Sequence, residues 1–162
     1  MPDREITPDR KIAYRKNKRI AAQTLLAFFR RNLWWDWYTP TDVAWRIHHA
    51  LFLATAWHGR KIVGVAMLTG DGRLDVELRV LVVDDDYQRQ GIGTHLMNMC
   101  MAEAERLQPC MFRLLVPEKR TERYYRRFKF RKHRDTWPME HAPTARRLQH
   151  RVATSRKRRG VA

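Results

Sequence analysis

The amino-acid sequence predicts an α/β protein with a mixed, mostly antiparallel central sheet flanked by helices. Three observations support this fold class. A β-hairpin pattern covers residues 52–57 and 61–68 and continues through Gly-Asp-Gly at 70–72 into a third strand that ends at Val83. A long amphipathic stretch, residues 94–107, directly follows a glycine-containing loop. Two further helical patterns precede the hairpin.

The segment before the hairpin is predicted to contain one strand and two helices. Residues 11–15 supply a short edge strand, and residues 18–31 place apolar side chains at helical spacing. Residues 39–42, Thr-Pro-Thr-Asp, form a helix-start signal, because threonine is favoured at the N-cap and proline at the first helical position. This second helix is expected to end near Leu51.

The segment after the long helix is predicted to return to the sheet. Gln108 and Pro109 stop the helix, and residues 111–116 form a strand. A short helix over 121–128 follows, and residues 130–140 are expected to form a last pair of strands.

The chain of 162 residues fits one domain with its own hydrophobic core. We expect this domain to cover residues 11–140, between a flexible lead-in at 1–10 and a mobile basic tail at 141–162. No apolar run approaches the roughly 20 residues of a membrane span. The first residues lack the pattern of a signal peptide, so a cytoplasmic location is expected.

The most informative motif is Gln88-x-x-Gly91-x-Gly93, which follows a strand at 77–83 and an acidic turn at 84–86. Glycines let a ligand approach the backbone, and the free N–H groups at the start of a helix favour an anion. Two other phosphate loops are excluded. The GxGxxG fingerprint would need a third glycine near His95, and GxxxxGK[ST] does not occur.

The motif and its context resemble the GNAT family of acetyl-coenzyme A-dependent N-acetyltransferases. Two other segments are similar to the family: Lys61-Ile-Val-Gly64 resembles its "iVG" strand, and residues 124–130 resemble its FYxxLGF segment. The resemblance covers about residues 11–140. It implies the GNAT acyl-CoA N-acyltransferase fold and acetyl-CoA as cosubstrate.

The resemblance also implies which residues bind acetyl-CoA. Backbone groups at the end of the third strand would hold the pantetheine arm and thioester; these residues are Leu81, Val82 and Val83. The loop and the start of the helix would cradle the pyrophosphate; these residues are Gln88, Arg89, Gln90, Gly91, Ile92, Gly93 and Thr94.

Two catalytic residues are implied in the same way. Tyr125 matches the tyrosine that in many family members protonates the departing coenzyme A, and Tyr124 is the alternative donor. Glu77 stands where the family's histone acetyltransferases carry a catalytic glutamate base. Strand alternation is expected to place Glu77, Arg79, Leu81 and Val83 on one face.

Both catalytic assignments leave alternatives open. Tyr125 can instead pack or hydrogen bond the cofactor, and many family members deprotonate the amine through water. The sequence also departs from the family at Lys129, where glycine is usual, at Thr121, where alanine is usual, and at Asp85, where proline is common. The acidic run 84–86 is expected to be a solvated turn.

An aromatic cluster precedes the second helix and is a candidate for acceptor binding. By resemblance, the first two helices and their loop flank the acceptor site. Packing into the core is the alternative role for such side chains. The cluster consists of Trp34, Trp35, Trp37 and Tyr38.

Cysteine and histidine patterns give no metal site. Cys100 and Cys110 are expected to be buried structural thiols. His48 and His49 are adjacent and point in different directions on a helix, and neither HExxH nor CxxC occurs. We therefore expect no metal.

The net charge of +16 is concentrated at the two ends of the chain. Residues 1–31 carry +6, residues 32–118 carry −3 and residues 119–162 carry +13. Basic clusters of this kind suit polyanions such as nucleic acid or the ribosome. A solubilising surface with a disordered tail explains the same charge.

The resemblance to the GNAT family implies acetyl transfer from acetyl-CoA to a primary amine by direct attack in a ternary complex. The acceptor is expected to be a small molecule, a protein, or an amine carried by the ribosome or RNA. Two alternatives stay open: a non-catalytic acyl-CoA-binding module that binds nucleic acid, and a toxin that acetylates charged tRNA. No membrane partner is expected, and both a monomer and a homodimer are compatible with the sequence.

Overall fold

The structure is a computed structural model that describes residues 11–16, 18–33, 37–115 and 121–132. The chain forms two compact units, the first ending at Thr121 and the second beginning at Glu122. The strands of the first unit are β1 (Ile12–Lys16), β2 (Phe52–His58), β3 (Lys61–Gly70), β4 (Asp75–Val83) and β5 (Met111–Leu114), and its helices are α1 (Ala22–Leu33), α2 (Pro40–His49) and α3 (Ile92–Leu107). The second unit contains α4 (Glu122–Arg126).

The five strands form one sheet in the order β1-β2-β3-β4-β5. The first three pairings are antiparallel, and only β4 and β5 run parallel, because α3 connects them as a crossover. The predicted mixed, mostly antiparallel sheet flanked by helices is confirmed. None of the helices in the described ranges combines the length and apolarity that crossing a membrane requires.

Helices α1 and α2 cover one face of the sheet. Leu25, Phe28 and Phe29 of α1 pack with Val43 and Ile47 of α2 against apolar residues of the central strands. The predicted start signal of α2 forms a complete capping box between Thr39 and Asp42. Because the capping box forms within four consecutive residues, it defines the start of α2 locally.

Helix α3 covers the opposite face. A Cβ atom built on Gly64 of β3 would lie 2.9 Å from Cδ1 of Leu96 and 3.1 Å from Cγ2 of Ile92. The absence of a side chain at Gly64 therefore lets α3 pack close to the sheet. Because Gly64 pairs with Val83, the end of β4 lies under the start of α3.

A β-bulge in β4 corrects the predicted strand alternation. Met67 pairs with Val80 while the next residue of β3 pairs with Leu78, so Arg79 is an extra residue in β4. Val80 lies on the α1/α2 face with Met67. Glu77, which pairs with Thr69, lies on that face as well, whereas Leu81 lies on the α3 face. The expectation of one shared face was wrong, because the bulge shifts the alternation by one residue.

Several predicted boundaries and burial states also differ from the structure. Helix α1 begins at Ala22 and not at residue 18, and α3 begins at Ile92 and not at Thr94. Cys100 is buried as expected, but Cys110 is exposed, because it lies in the turn before β5 and not within the strand. The expectation of two buried thiols was therefore wrong for Cys110.

The second unit begins with one short helix and a turn. Helix α4 ends in a Schellman motif: the N–H of Phe130 donates to the carbonyl of Tyr125 at 3.4 Å, and the N–H of Lys129 donates to that of Arg126 at 3.0 Å. Lys129 adopts a left-handed φ of 65° there. Glycine, which is usual at this position in the resembled segment, adopts such a φ without strain. The lead-in, the tail and most of the strands expected at 130–140 lie outside the described residues.

Candidate cofactor and acceptor site

The glycine loop between β4 and α3 leaves open space at its backbone. Gly91 is the N-cap residue of α3 with a left-handed φ of 80°, and a Cβ atom built on it would meet nothing within 4 Å. Arg89 also has a positive φ, 63°, which is uncommon for a residue with a side chain. The loop therefore holds two left-handed residues beside an open approach to the backbone.

The start of α3 presents unsatisfied N–H groups to this space. The N–H of His95 donates to the carbonyl of Gly91 at 2.9 Å and forms the first turn of the helix. By helix geometry, the N–H groups that precede His95 have no acceptor within the helix. Among the described residues, no side chain caps this end. Together with the helix dipole, these donors suit a pyrophosphate, so the residues present fit the acetyl-CoA that the resemblance implies.

The side chains of Gln88 and Gln90 build the loop itself. Nε2 of Gln88 donates to Oδ1 of Asp85 at 2.7 Å and to the carbonyl of Val83 at 3.2 Å. Nε2 of Gln90 donates to the carbonyl of Asp86 at 3.2 Å. Asp85, which replaces a common family proline, thus gains a partner in the motif glutamine. These contacts leave the backbone of the loop as the surface for a ligand.

The acidic turn is only partly solvated, which corrects the expectation from the sequence. Asp85 and Asp86 are exposed, but Asp84 is only 5% exposed. Its carboxylate pairs with Arg31 of α1 at 2.9 Å and with Lys61 of β3 at 3.3 Å. Sequence reasoning missed this contact, and the only local signal was that Asp84 directly follows an apolar strand.

The end of β4 has one side without a strand partner in the described part of the chain. Residues 75–78 pair with β5, whereas Leu81, Val82 and Val83 pair only with β3. All three are half-buried. Within the described residues, this edge of β4 is therefore unpaired where the resemblance places the pantetheine arm and thioester.

Glu77 lies on the α1/α2 face, two residues before the bulge residue Arg79. Its side chain is 30% exposed, and Oε1 accepts a hydrogen bond from NH1 of Arg79 at 3.2 Å. Such a half-exposed carboxylate can accept a proton from an amine or from a water molecule. The expected acceptor side and the Glu77 side chain share one face of the sheet.

The aromatic cluster is described in part. Tyr38 packs against the core, and its hydroxyl accepts a hydrogen bond from NH2 of Arg46 at 2.6 Å. The ring of Trp37 lies beside that of Tyr38, with centroids 5.3 Å apart. Trp34 and Trp35 lie outside the described residues. Tyr38 therefore has a packing role, and both described rings flank the start of α2.

Tyr125 belongs to the second unit. Its ring lies 6.3 Å from that of Phe130, edge to face, and burial raises the pKa of the Tyr125 phenol above its ordinary value near 10. The hydroxyl therefore stays protonated at neutral pH and can donate a proton. The ring of the neighbouring Tyr124 packs edge to face on the ring of Tyr125, with centroids 5.1 Å apart.

A family model that matches most of the chain shows to which family the protein belongs. The model described as the acetyltransferase (GNAT) family matches residues 16–130. The chain belongs to the GNAT acetyltransferase family. It is an acyltransferase, and this family uses acetyl-CoA as cosubstrate and an amine as acceptor. No curated protein matches the chain in sequence.

Solved acetyltransferase structures share the fold of this GNAT protein. A GNAT family protein from Streptococcus pneumoniae TIGR4 has a TM-score of 0.66 and 22% identity, covering 81% of this chain and 100% of that one. A ribosomal-protein-alanine N-acetyltransferase from Brucella melitensis biovar Abortus 2308 has a TM-score of 0.60 and 14% identity, covering 82% and 100%. An aminoglycoside acetyltransferase from an uncultured soil metagenomic sample, in complex with sisomicin, has a TM-score of 0.63 and 14% identity. This match covers 82% of this chain and 97% of that one. Because these enzymes differ in acceptor, the shared fold does not select one.

Proposed function

We propose that this GNAT enzyme transfers the acetyl group of acetyl-CoA to a primary amine by direct attack in a ternary complex. The observation that carries the proposal is the open N-terminus of α3 behind Gly91, which no side chain of the described residues caps. Its N–H groups bind the pyrophosphate, and the end of β4, which pairs only with β3 among the described residues, receives the pantetheine arm along Leu81, Val82 and Val83.

The reaction requires one bond to form and one to break. The neutral amine attacks the thioester carbonyl carbon, the carbon–sulfur bond breaks, the amine loses a proton and the thiolate gains one. Glu77 takes the proton from the amine, directly or through water, from the α1/α2 face of the sheet. Tyr125, kept protonated by its raised pKa, donates the proton to the thiolate.

The acceptor that charge favours is an amine carried by a polyanion, such as a ribosomal protein or an RNA-bound amine. In the sequence, residues 11–19 include Lys11, Arg15, Lys16, Lys18 and Arg19 and no acid, and the whole chain carries +16. A basic surface attracts a polyanion, and the attraction weakens as salt rises. The mildly acidic middle of the chain suits the cationic amine itself.

The decisive experiment measures acetyl transfer with radiolabelled acetyl-CoA across polyamines, aminoglycosides, peptides and ribosomal fractions. Activity confined to ribosomal or RNA-bound amines, and falling with salt, is the expected result. Activity on a free amine alone would show that the basic residues do not select the acceptor. Binding of acetyl-CoA without transfer to any amine would instead favour a non-catalytic module. Growth arrest on expression, with acetylated aminoacyl-tRNA, would identify a toxin.

A further inference from the structure

The carboxylate of Asp84 joins three parts of the first unit. Its Oδ2 accepts a hydrogen bond from Nε of Arg31, in the last turn of α1, at 3.0 Å. It also lies 3.3 Å from Nζ of Lys61, at the start of β3. The backbone N–H of Asp84 donates to the carbonyl of Val63 at 2.9 Å. Asp84, the buried first residue of the glycine loop, thus connects this loop to helix α1 and strand β3.

The next turn of the loop is built on the same residue. The N–H of Tyr87 donates to the carbonyl of Asp84 at 2.8 Å, which closes the short 3₁₀ helix Asp85–Tyr87. The ring of Tyr87 is buried under Nζ of Lys61 at 5.1 Å, and its hydroxyl lies 2.7 Å from Nδ1 of His58. The path from Asp84 to Gln88 is therefore fixed from both ends.

The charge balance at this point depends on the carboxylate. Arg31 and Lys61 keep 45% and 43% of their side chains exposed, whereas the Asp84 side chain is 7% exposed. Removing the negative charge would leave two cations facing each other across a buried amide or methyl group. Arg31 also donates to the carbonyl of Ile62 at 3.2 Å, so α1 would keep one of its contacts with the sheet.

We propose that Asp84 is a positioning residue that sets the glycine loop against helix α1 and thereby determines the affinity for acetyl-CoA. This inference rests on the proposed binding of the pyrophosphate at the start of α3. The inference implies that acetyl-CoA binding also orders the last turn of α1. The reason is that Asp84 belongs to the glycine loop and also binds Arg31 in that turn. A purely structural role would lower the stability of the fold and leave the affinity of folded molecules unchanged.

The test compares Asp84→Asn with Glu103→Gln. Glu103 is a matched control, since its carboxylate pairs with Arg106 on α3 at 2.6 Å, away from the loop. Calorimetry should show a Kd for acetyl-CoA about tenfold higher in Asp84→Asn, in line with the loss of charged hydrogen bonds. Glu103→Gln should bind like the unaltered protein. Hydrogen exchange should show that acetyl-CoA protects amides of residues 30–33 in the unaltered protein and not in Asp84→Asn.

A second variant covers the case in which Asp84→Asn does not fold. Arg31→Met removes one partner and leaves Lys61, so a roughly threefold rise in Kd is expected. Unchanged affinity in the folded variants, with a lower melting temperature only, would overturn the inference while acetyl-CoA binding by the unaltered protein upheld the proposed site. Failure of the unaltered protein to bind acetyl-CoA would overturn the proposed function and this inference with it.

Discussion

NH1 of Arg79 lies 3.2 Å from Oε1 of Glu77, and the β-bulge at Arg79 places Glu77 on the opposite face of β4 from Leu81. In the proposed reaction, the thioester arm runs along the end of β4 and the amine arrives over the α1/α2 face. The bulge is therefore the feature that lets one strand serve the cofactor and carry a base toward the acceptor. Bulges commonly re-aim side chains next to active sites.

Replacing Glu77 by Gln should lower kcat by about 100-fold to 10,000-fold if the carboxylate takes the amine proton. The Kd for acetyl-CoA should stay unchanged, because Glu77 lies on the other face from Leu81. Steady-state kinetics with calorimetry measure both quantities. Asp75→Asn is the control, since Asp75 lies on the same strand and face, two residues away. An unchanged kcat in Glu77→Gln would assign the proton transfer to water alone.

Replacing Gly91 by Ala should raise the Kd for acetyl-CoA and also destabilise the fold by about 1 kcal/mol, because a Cβ atom disfavours its left-handed φ. Gly59 is a matched control in the turn between β2 and β3. It has a φ of 58° and no atom within 4 Å of a built Cβ. Gly59→Ala should lose similar stability and bind acetyl-CoA normally. Equal effects of both variants on the affinity would contradict a ligand site at Gly91.

Local signals predicted the parts of the fold that depend on neighbouring residues. The predicted helix start at Thr39 and the predicted β2–β3 hairpin are confirmed, because each is determined within a few residues. The bulge at Arg79 could not be predicted in this way, since an extra residue in one strand is defined only against its partner strand. The burial of Asp84 was also missed, because its partner Arg31 lies 53 residues away in the sequence.

The site follows the same division. The glycine loop was recognisable from Gln88, Gly91 and Gly93, which are close in sequence and shape one turn. Lys129 stands where the family usually carries glycine. The structure shows that the lysine takes the left-handed conformation and keeps the turn. The left-handed conformation costs a residue with a side chain only about 1 kcal/mol, so the residue type alone does not show whether it is adopted.

Replacing Tyr125 by Phe should lower kcat by about 100-fold to 10,000-fold while the Kd for acetyl-CoA changes little. The raised pKa of Tyr125 also makes a pH prediction. Because the phenol deprotonates only above its ordinary value near 10, kcat should show no basic limb below pH 10. For the same reason, the stability contributed by burying the neutral phenol is present below pH 10 and is lost at higher pH. Loss of kcat between pH 7 and 9 would contradict Tyr125 as the donor, as would full activity in Tyr125→Phe.

Replacing Lys129 by Gly should stabilise the Schellman turn after α4 by about 0.5 to 1 kcal/mol, because glycine adopts φ of 65° without strain. Lys129→Ala is the matched control. It removes the same charge and keeps the Cβ atom, so no gain is expected. Hydrogen exchange at the amide of Phe130, which donates to Tyr125, reports on this turn locally. Slower exchange in both variants would attribute the effect to the charge and not to the backbone.

The two cysteines should react very differently with a thiol reagent. Cys110 is exposed, whereas burial and the Glu103 carboxylate raise the pKa of the Cys100 thiol to about 12. The thiolate is the reactive form, so Cys100 should be inert in the folded protein. Ellman's reagent should therefore titrate one thiol in the native protein and two after denaturation. Cys110→Ser should abolish the native signal. Rapid labelling of two thiols in the folded protein would contradict the packing of Cys100 in α3.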